Sequence, residues 1–564
     1  MTRVPPALRY ALLALLLALA GVLGLVPASR NFVRGYAEGR SSDQEAILAE
    51  YGESTPSLGA VRFAYGDFGG LNTDALRTNA IPWKVVAAAL VLQARRDGES
   101  PRAGLNRVLG EFGFIIPDTI LNWTGPASAR PFARPLGIVT GYVERRLPRI
   151  KLEVGNLGCA ACHAGVTYDR HGAPRRQVWL GLPNTSLDLE AYTTAVYESL
   201  VKVVHDRGPL LETVRALFPD VDSLELRTIE RFVLPRVERR LTELATTLNA
   251  PLPFRNGGPG LTNGIAALKL QLGLLRGDVR SSEVGFTSIP DLGGGALRTS
   301  LLYDGAYAVP GRSRFSPMAP GDLTAGHLAE LARIVTFFTV PTMGNTPLAA
   351  RRAIPHVTEV MNFLQSYRPP SFPGPIDSVR ARRGGALYRA RCAECHGSYS
   401  DGAPSVRLVS FPNRLVPQAA MGTDPARWQA MEPRLLRAIR SSGYSAVDPA
   451  QTGGYVAPPL TGLWATAPYL HNGSVPTLWH LMHPAERPPR FQVGGHRLDF
   501  ERVGIAGAVD RDGTLRYPAS YRPWAHPRLY DTAQPGLGNR GHEGPFQDLT
   551  EQQRADLLEY LKLL

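Results

Sequence analysis

Cys159-Ala160-Ala161-Cys162-His163 and Cys392-Ala393-Glu394-Cys395-His396 are two copies of one pattern, and together they hold all four cysteines of the chain. Two thiols three positions apart can each add to one vinyl group of a single porphyrin, and the histidine that follows reaches the iron from the proximal side. The spacing predicts two covalently bound haem c groups. Cys159 and Cys162 would hold the first, Cys392 and Cys395 the second, with His163 and His396 as proximal ligands. A thioredoxin-like pair needs no adjacent histidine. A zinc site would have to join both pairs into one cluster and would leave both histidines without a role.

The chain has 564 residues, 44% of them hydrophobic and 20% charged, with a formal net charge of +13. That is a globular composition with room for several cores. A basic surface suits an acidic electron-donor protein or an anionic membrane face. The arginines are scattered without any nucleic-acid-binding motif, so no nucleic-acid partner is expected. Residues 1–29 place Arg3 and Arg9 before an uncharged run from Tyr10 to Val26, then Pro27-Ala28-Ser29. This pattern predicts a signal peptide or membrane anchor helix and a periplasmic or extracellular protein, with membrane anchoring left open.

The expected fold is mainly α, with two cytochrome c-like haem domains, long loop-rich insertions and the N-terminal signal or anchor helix. An N-terminal helical region spans 30–150 and a first haem domain 151–367. A Pro-rich linker covers 368–376, and a second cytochrome c domain spans 377–564. Apolar spacing of three and four predicts helices over Asp188–Val204, Leu224–Leu248, Ala325–Phe338 and His356–Tyr367. The Gly- and Pro-rich stretch 252–322 reads as loop over the first haem. Thr550-Glu551-Gln552-Gln553 predicts a capping box opening the last helix, which would cross the helix Asp377–Ala390 as in small cytochromes.

Beyond the haem motifs, the stretch from Ala457 to Leu478 carries Pro458-Pro459-Leu460-Thr461-Gly462 and Pro468-Tyr469-Leu470-His471-Asn472-Gly473-Ser474. With Gly181-Leu182-Pro183-Asn184-Thr185, Gly422-Thr423-Asp424-Pro425 and Asn539-Arg540-Gly541-His542-Glu543, it resembles the bacterial dihaem cytochrome c peroxidase superfamily, nearest the dihaem rubber oxygenase-like branch. The resemblance implies one saturated electron-transfer haem and one haem with an open iron face. It implies His542 as distal ligand of the second haem, with His471 and Met482 as rivals. For the first haem it implies an open iron under an apolar and aromatic wall. Phe286 and Tyr303 are the candidates there, and no tryptophan falls in that segment.

Two functions follow. One is an oxidoreductase that reduces peroxide or activates dioxygen at the first haem, with an organic co-substrate in the oxygenase case. Acid–base candidates for moving a proton are Glu153, Asp291 and Asp304. The other is a dihaem electron carrier, which would need far fewer residues per haem. Mass spectrometry of protein matured by a c-type assembly system should show two covalent haems and no free thiol. Replacing Cys392 and Cys395 by alanine should remove one.

Overall fold

A computed structural model describes residues 39–564 apart from 54, 72–79, 126–133, 276–282, 343–345, 401–405 and 445. The expected signal or anchor helix over 1–29 lies outside the described residues. No described helix is long and apolar enough to cross a membrane.

The expectation of a mainly α protein is overturned: the chain is 42% helix and 15% strand, a mixed α/β fold with many small sheets. The largest departure falls in the region read as helical, together with the first residues of the haem segment. Strands Ile138–Arg145 and Ile150–Leu157 form an antiparallel hairpin that runs directly into the first haem motif. A second sheet, Ala164–Tyr168 against Pro174–Leu180, leaves the motif on its other side. The first haem turn is thus held between two hairpins. The stretch 252–322 also contains a helix, Gly264–Gln271, capped by Asn263, besides its loops and short strands.

Helix Trp83–Gln93 is almost wholly buried, because its apolar run leaves no polar face. Its one charge, Lys84, is neutralised by Glu225 at 2.5 Å and Glu153 at 3.6 Å. Thr140 donates to Glu153. Glu153 therefore belongs to a structural ion cluster beneath the hairpin, because a buried ammonium needs paired carboxylates. The predicted helix over 224–248 is observed as one continuous run from Ser223 to Thr247 with a π-helical turn at Ile229–Val233.

Segment 368–376 carries no helix or strand, and the chain on its two sides is packed together. One core joins Phe63, Val357 and Phe337 to Met431, Leu435 and Ile439; another joins Tyr168, Leu182 and Phe286 to Trp464 and Leu557. Strand Tyr307–Ala308 pairs with Asp448–Pro449 across the same divide.

The second haem motif follows helix Ser378–Arg391, whose first turn is capped by Asp377 accepting from the Val379 and Arg380 amides. The last helix, Glu551–Leu561, starts at the predicted capping box: Thr550 accepts from the Gln553 amide, and the Gln553 side chain accepts from the Thr550 amide. The two helices cross at Gly384, where a β-carbon would lie 2.0 Å from the Asp556 carbonyl oxygen. Beside the crossing, Arg383 grips the Asp556 carboxylate with bonds of 2.6 and 2.8 Å. Gly384→Ala should force the helices apart and cost about 1–3 kcal/mol, measurable as a lower urea midpoint with unchanged slope. An unchanged midpoint would mean that the crossing is not tightly packed.

Candidate haem centres

Cys159–Cys162 is a single helical turn after the hairpin. Its carbonyls are tied down: Asn184 donates from its backbone to the Cys162 oxygen at 2.7 Å and from its side chain to the Ala161 oxygen. The Gly181 amide holds the His163 carbonyl at 2.8 Å. These bonds fix the turn, so His163 is presented in one orientation. Its Nδ1 lies 3.2 Å from the Pro290 carbonyl oxygen. A carbonyl only accepts, so Nδ1 carries the proton and Nε2 is left bare for a metal. Burial pushes the His163 pKa down to about 4, which keeps the ring neutral.

The second motif repeats the arrangement. Cys392 closes the preceding helix and Ala393–His396 form the turn. His396 Nδ1 donates to the Pro458 carbonyl at 2.8 Å, and burial lowers its pKa. Opposite it stands His542, ring centroid to ring centroid 6.0 Å. Two imidazoles sharing one metal through bonds of about 2 Å would have centroids about 6 Å apart. His542 is half-buried, its Nδ1 atom is buried and unpartnered, and desolvation followed by the charge of His396 brings its pKa to about 4. Its loop is clamped by buried Arg487, which donates to the carbonyls of Asn539 at 2.6 Å and Gly541 at 3.0 Å. The same guanidinium reaches the His480 and Leu481 carbonyls. Sequence reading missed Arg487, since nothing local marks a guanidinium that serves backbone carbonyls more than fifty residues away.

Burial raises the thiols of Cys159, Cys162 and Cys392 to about 12 and that of Cys395 in the same direction. Among the described residues no group of three or more metal-binding side chains is assembled. The two Cys pairs are thus not one zinc cluster. The donor set fits haem c at each motif.

The two proximal loops are copies of one another. Pro290–Ala306 and Pro458–Ser474 align without a gap, sharing Pro290/Pro458, Leu292/Leu460, Gly294/Gly462, Leu302/Leu470 and Gly305/Gly473. The backbones agree as well. Gly294 and Gly462 are left-handed at φ 66 and 62 and open 3-10 turns at Gly295–Leu297 and Leu463–Ala465. Leu302 and Leu470 are left-handed at φ 70 and 69. Their carbonyls accept from Gly305 and Gly473. In this register Tyr303 is the counterpart of His471, and Asp291 of Pro459.

His471 stacks on Tyr455 at 4.2 Å and meets Tyr303 edge-on at 6.5 Å. It lies between Tyr455 and Tyr303, whereas His542 faces His396. Met482 is buried in the core under the last helix. Tyr303 shares a hydrogen bond with Ser288 at 3.0 Å, and Phe286 is buried in the core that joins the two halves. Asp304 is buried against Arg427 at 3.2 Å. Asp291 lies between the proximal loops, and burial raises it to about 7. Among the histidines of the first half, His327 binds the Ala296 carbonyl, His205 lies near Glu238 and His171 beside Arg170. His356 is half-buried, and Met343 lies outside the described residues. His480, His483 and His496 bond to Thr477, Glu551 and Tyr168 respectively, and His526 lies near Glu111.

His542→Ala should convert one low-spin haem signal to high-spin in the ferric spectrum and leave the other haem unchanged. His471→Ala should leave both spin states as they are. The reverse pattern would move the distal ligand to His471.

Residues 454–492 match the family described as RoxA-like, cytochrome c-like. The chain is 33% identical over 239 residues to the uncharacterized protein y4iM of Sinorhizobium fredii, a match covering 36% of this chain and 52% of that protein. It is 29% identical over 270 residues to y4iJ of the same organism, covering 36% of this chain and 42% of that protein. The chain spans about half or less of the length of these relatives. The match relates the chain to RoxA-like c-type cytochromes and implies covalently bound haem c with a haem-based redox role.

Proposed function

We propose that this chain is an exported dihaem c-type oxidoreductase. In this reading its first haem site, at Cys159–His163, meets the small oxidant, peroxide or dioxygen. The second site, at Cys392–His396, is closed by His542 and passes electrons. The observation that carries the reading is asymmetry. His396 is faced by His542 at 6.0 Å, and among the described residues no second imidazole meets the His163 ring.

Haem c supplies an iron that exchanges single electrons and, where a coordination position is open, takes a small ligand. The protein's part is orientation and access. Pro290 and Pro458 hold the two proximal rings as neutral ligands. Arg487 holds the His542 loop so that the second site stays closed and changes little in geometry between redox states. Phe286 and Tyr303 form the wall of the first site in this reading. Phe286 excludes water, and the Tyr303 hydroxyl, bonded to Ser288, holds an exchangeable proton. An acidic electron-donor protein is proposed from the net charge of +13, and an organic co-substrate is proposed for the dioxygen case. Export and membrane anchoring rest on the N-terminal sequence alone.

Titrating the reduced protein with carbon monoxide tests the reading. One molecule bound per protein, lost in His163→Ala, supports the asymmetric enzyme. Zero would make the chain an electron carrier with two closed haems. Two would remove His542 from the second iron.

A further inference from the structure

The two proximal loops touch each other, and a single carboxylate lies at the contact. Asp291 directly follows Pro290, whose carbonyl orients His163. Its Oδ1 accepts from the Gly293 amide at 2.7 Å and from the Thr461 hydroxyl at 3.0 Å. Its Oδ2 accepts from the Tyr367 hydroxyl at 2.6 Å. Thr461 stands three residues after Pro458, whose carbonyl orients His396. In the register of the repeat, Gly293 and Thr461 are counterparts, so Asp291 binds the same loop position in both copies. A side chain at 293 would not fit: its β-carbon would lie 2.2 Å from the Thr461 hydroxyl oxygen. Three hydrogen bonds and two short stretches of chain therefore connect one proximal histidine to the other.

We propose that Asp291 is the positioning residue that couples the two haem sites: through Thr461 it fixes both prolyl carbonyls against one another and so sets the strength of both proximal histidine ligands. This inference rests on the two-haem reading above. A proximal imidazole whose Nδ1–H is held by a well-placed carbonyl is a more basic ligand and favours the oxidised iron. Loosening one loop at Asp291 loosens the other through Thr461, so the two sites respond together. The carboxylate is half-buried and accepts three donors. Removing it leaves the Thr461 and Tyr367 hydroxyls without their acceptor, which favours rearrangement of both loops. Asparagine keeps the Oδ1 acceptor for Gly293 and Thr461, and the Tyr367 hydroxyl can accept from its amide. The bonds that matter for position survive while the charge is lost.

The test is a spectroelectrochemical titration of the holoprotein for Asp291→Ala, Thr461→Val and Asp291→Asn, with haem content of each variant counted by mass spectrometry. Asp291→Ala and the milder Thr461→Val should shift the midpoint potentials of both haems upward, and Asp291→Asn should restore both close to the parent values. A shift at one haem only, or at neither in Thr461→Val with both haems attached, overturns the coupling. A shift in Asp291→Asn as large as in Asp291→Ala also overturns it, since charge rather than position would then be the cause. A parent protein carrying a single haem would instead overturn the two-haem reading, and the coupling with it.

Discussion

The hydrogen bond from a histidine Nδ1 to a prolyl carbonyl is the constraint on which the rest of this structure depends. It is made twice, from His163 to Pro290 and from His396 to Pro458. Each time the acceptor fixes the tautomer, aims Nε2 away from the backbone and ties the haem motif to a distant loop. The surrounding fold holds that bond in place. Hairpins flank the first motif, the Gly384 crossing supports the second, and shared cores lock the two halves together. A proline suits this position because its preset φ holds the carbonyl in a defined direction.

What differs between the copies carries the functional argument. The second site has a half-buried histidine on a loop clamped by Arg487, which serves four carbonyls at once. The first has Tyr303 where the second has His471, and Asp291 where the second has Pro459. A buried guanidinium with several carbonyl partners and a half-buried carboxylate with three donors each replace lost hydration with fixed geometry. They are therefore better at holding position than at exchanging protons with solvent.

The haem motifs, the capping box at Thr550 and the helices that flank the second motif were legible because each is a local pattern. The crossing glycine was harder: Gly384 rather than the neighbouring Gly385 meets the Asp556 carbonyl, which only the pairing of two distant helices decides. The hairpin 138–157 escaped because the first four residues of its leading strand are buried on both faces, which hides the period of two. Strands of two or three residues, such as Tyr307–Ala308, leave no periodicity at all. The repeat of the proximal loops is carried by scattered Pro, Leu and Gly positions and by backbone angles, while its chemically active positions have diverged. His542 could be named from its Gly-rich loop, but its pairing with His396 is a tertiary fact, as are Arg487 and the bond from Thr461 to Asp291.

In the proposed function, two haem sites built on one loop design differ in whether the iron is closed. Electron paramagnetic resonance of the ligand-free ferric protein tests this most directly. One low-spin signal from the site of His396 and His542 and one high-spin signal from the site of His163, in equal amounts, are expected. Two low-spin signals, or two high-spin signals, would contradict it.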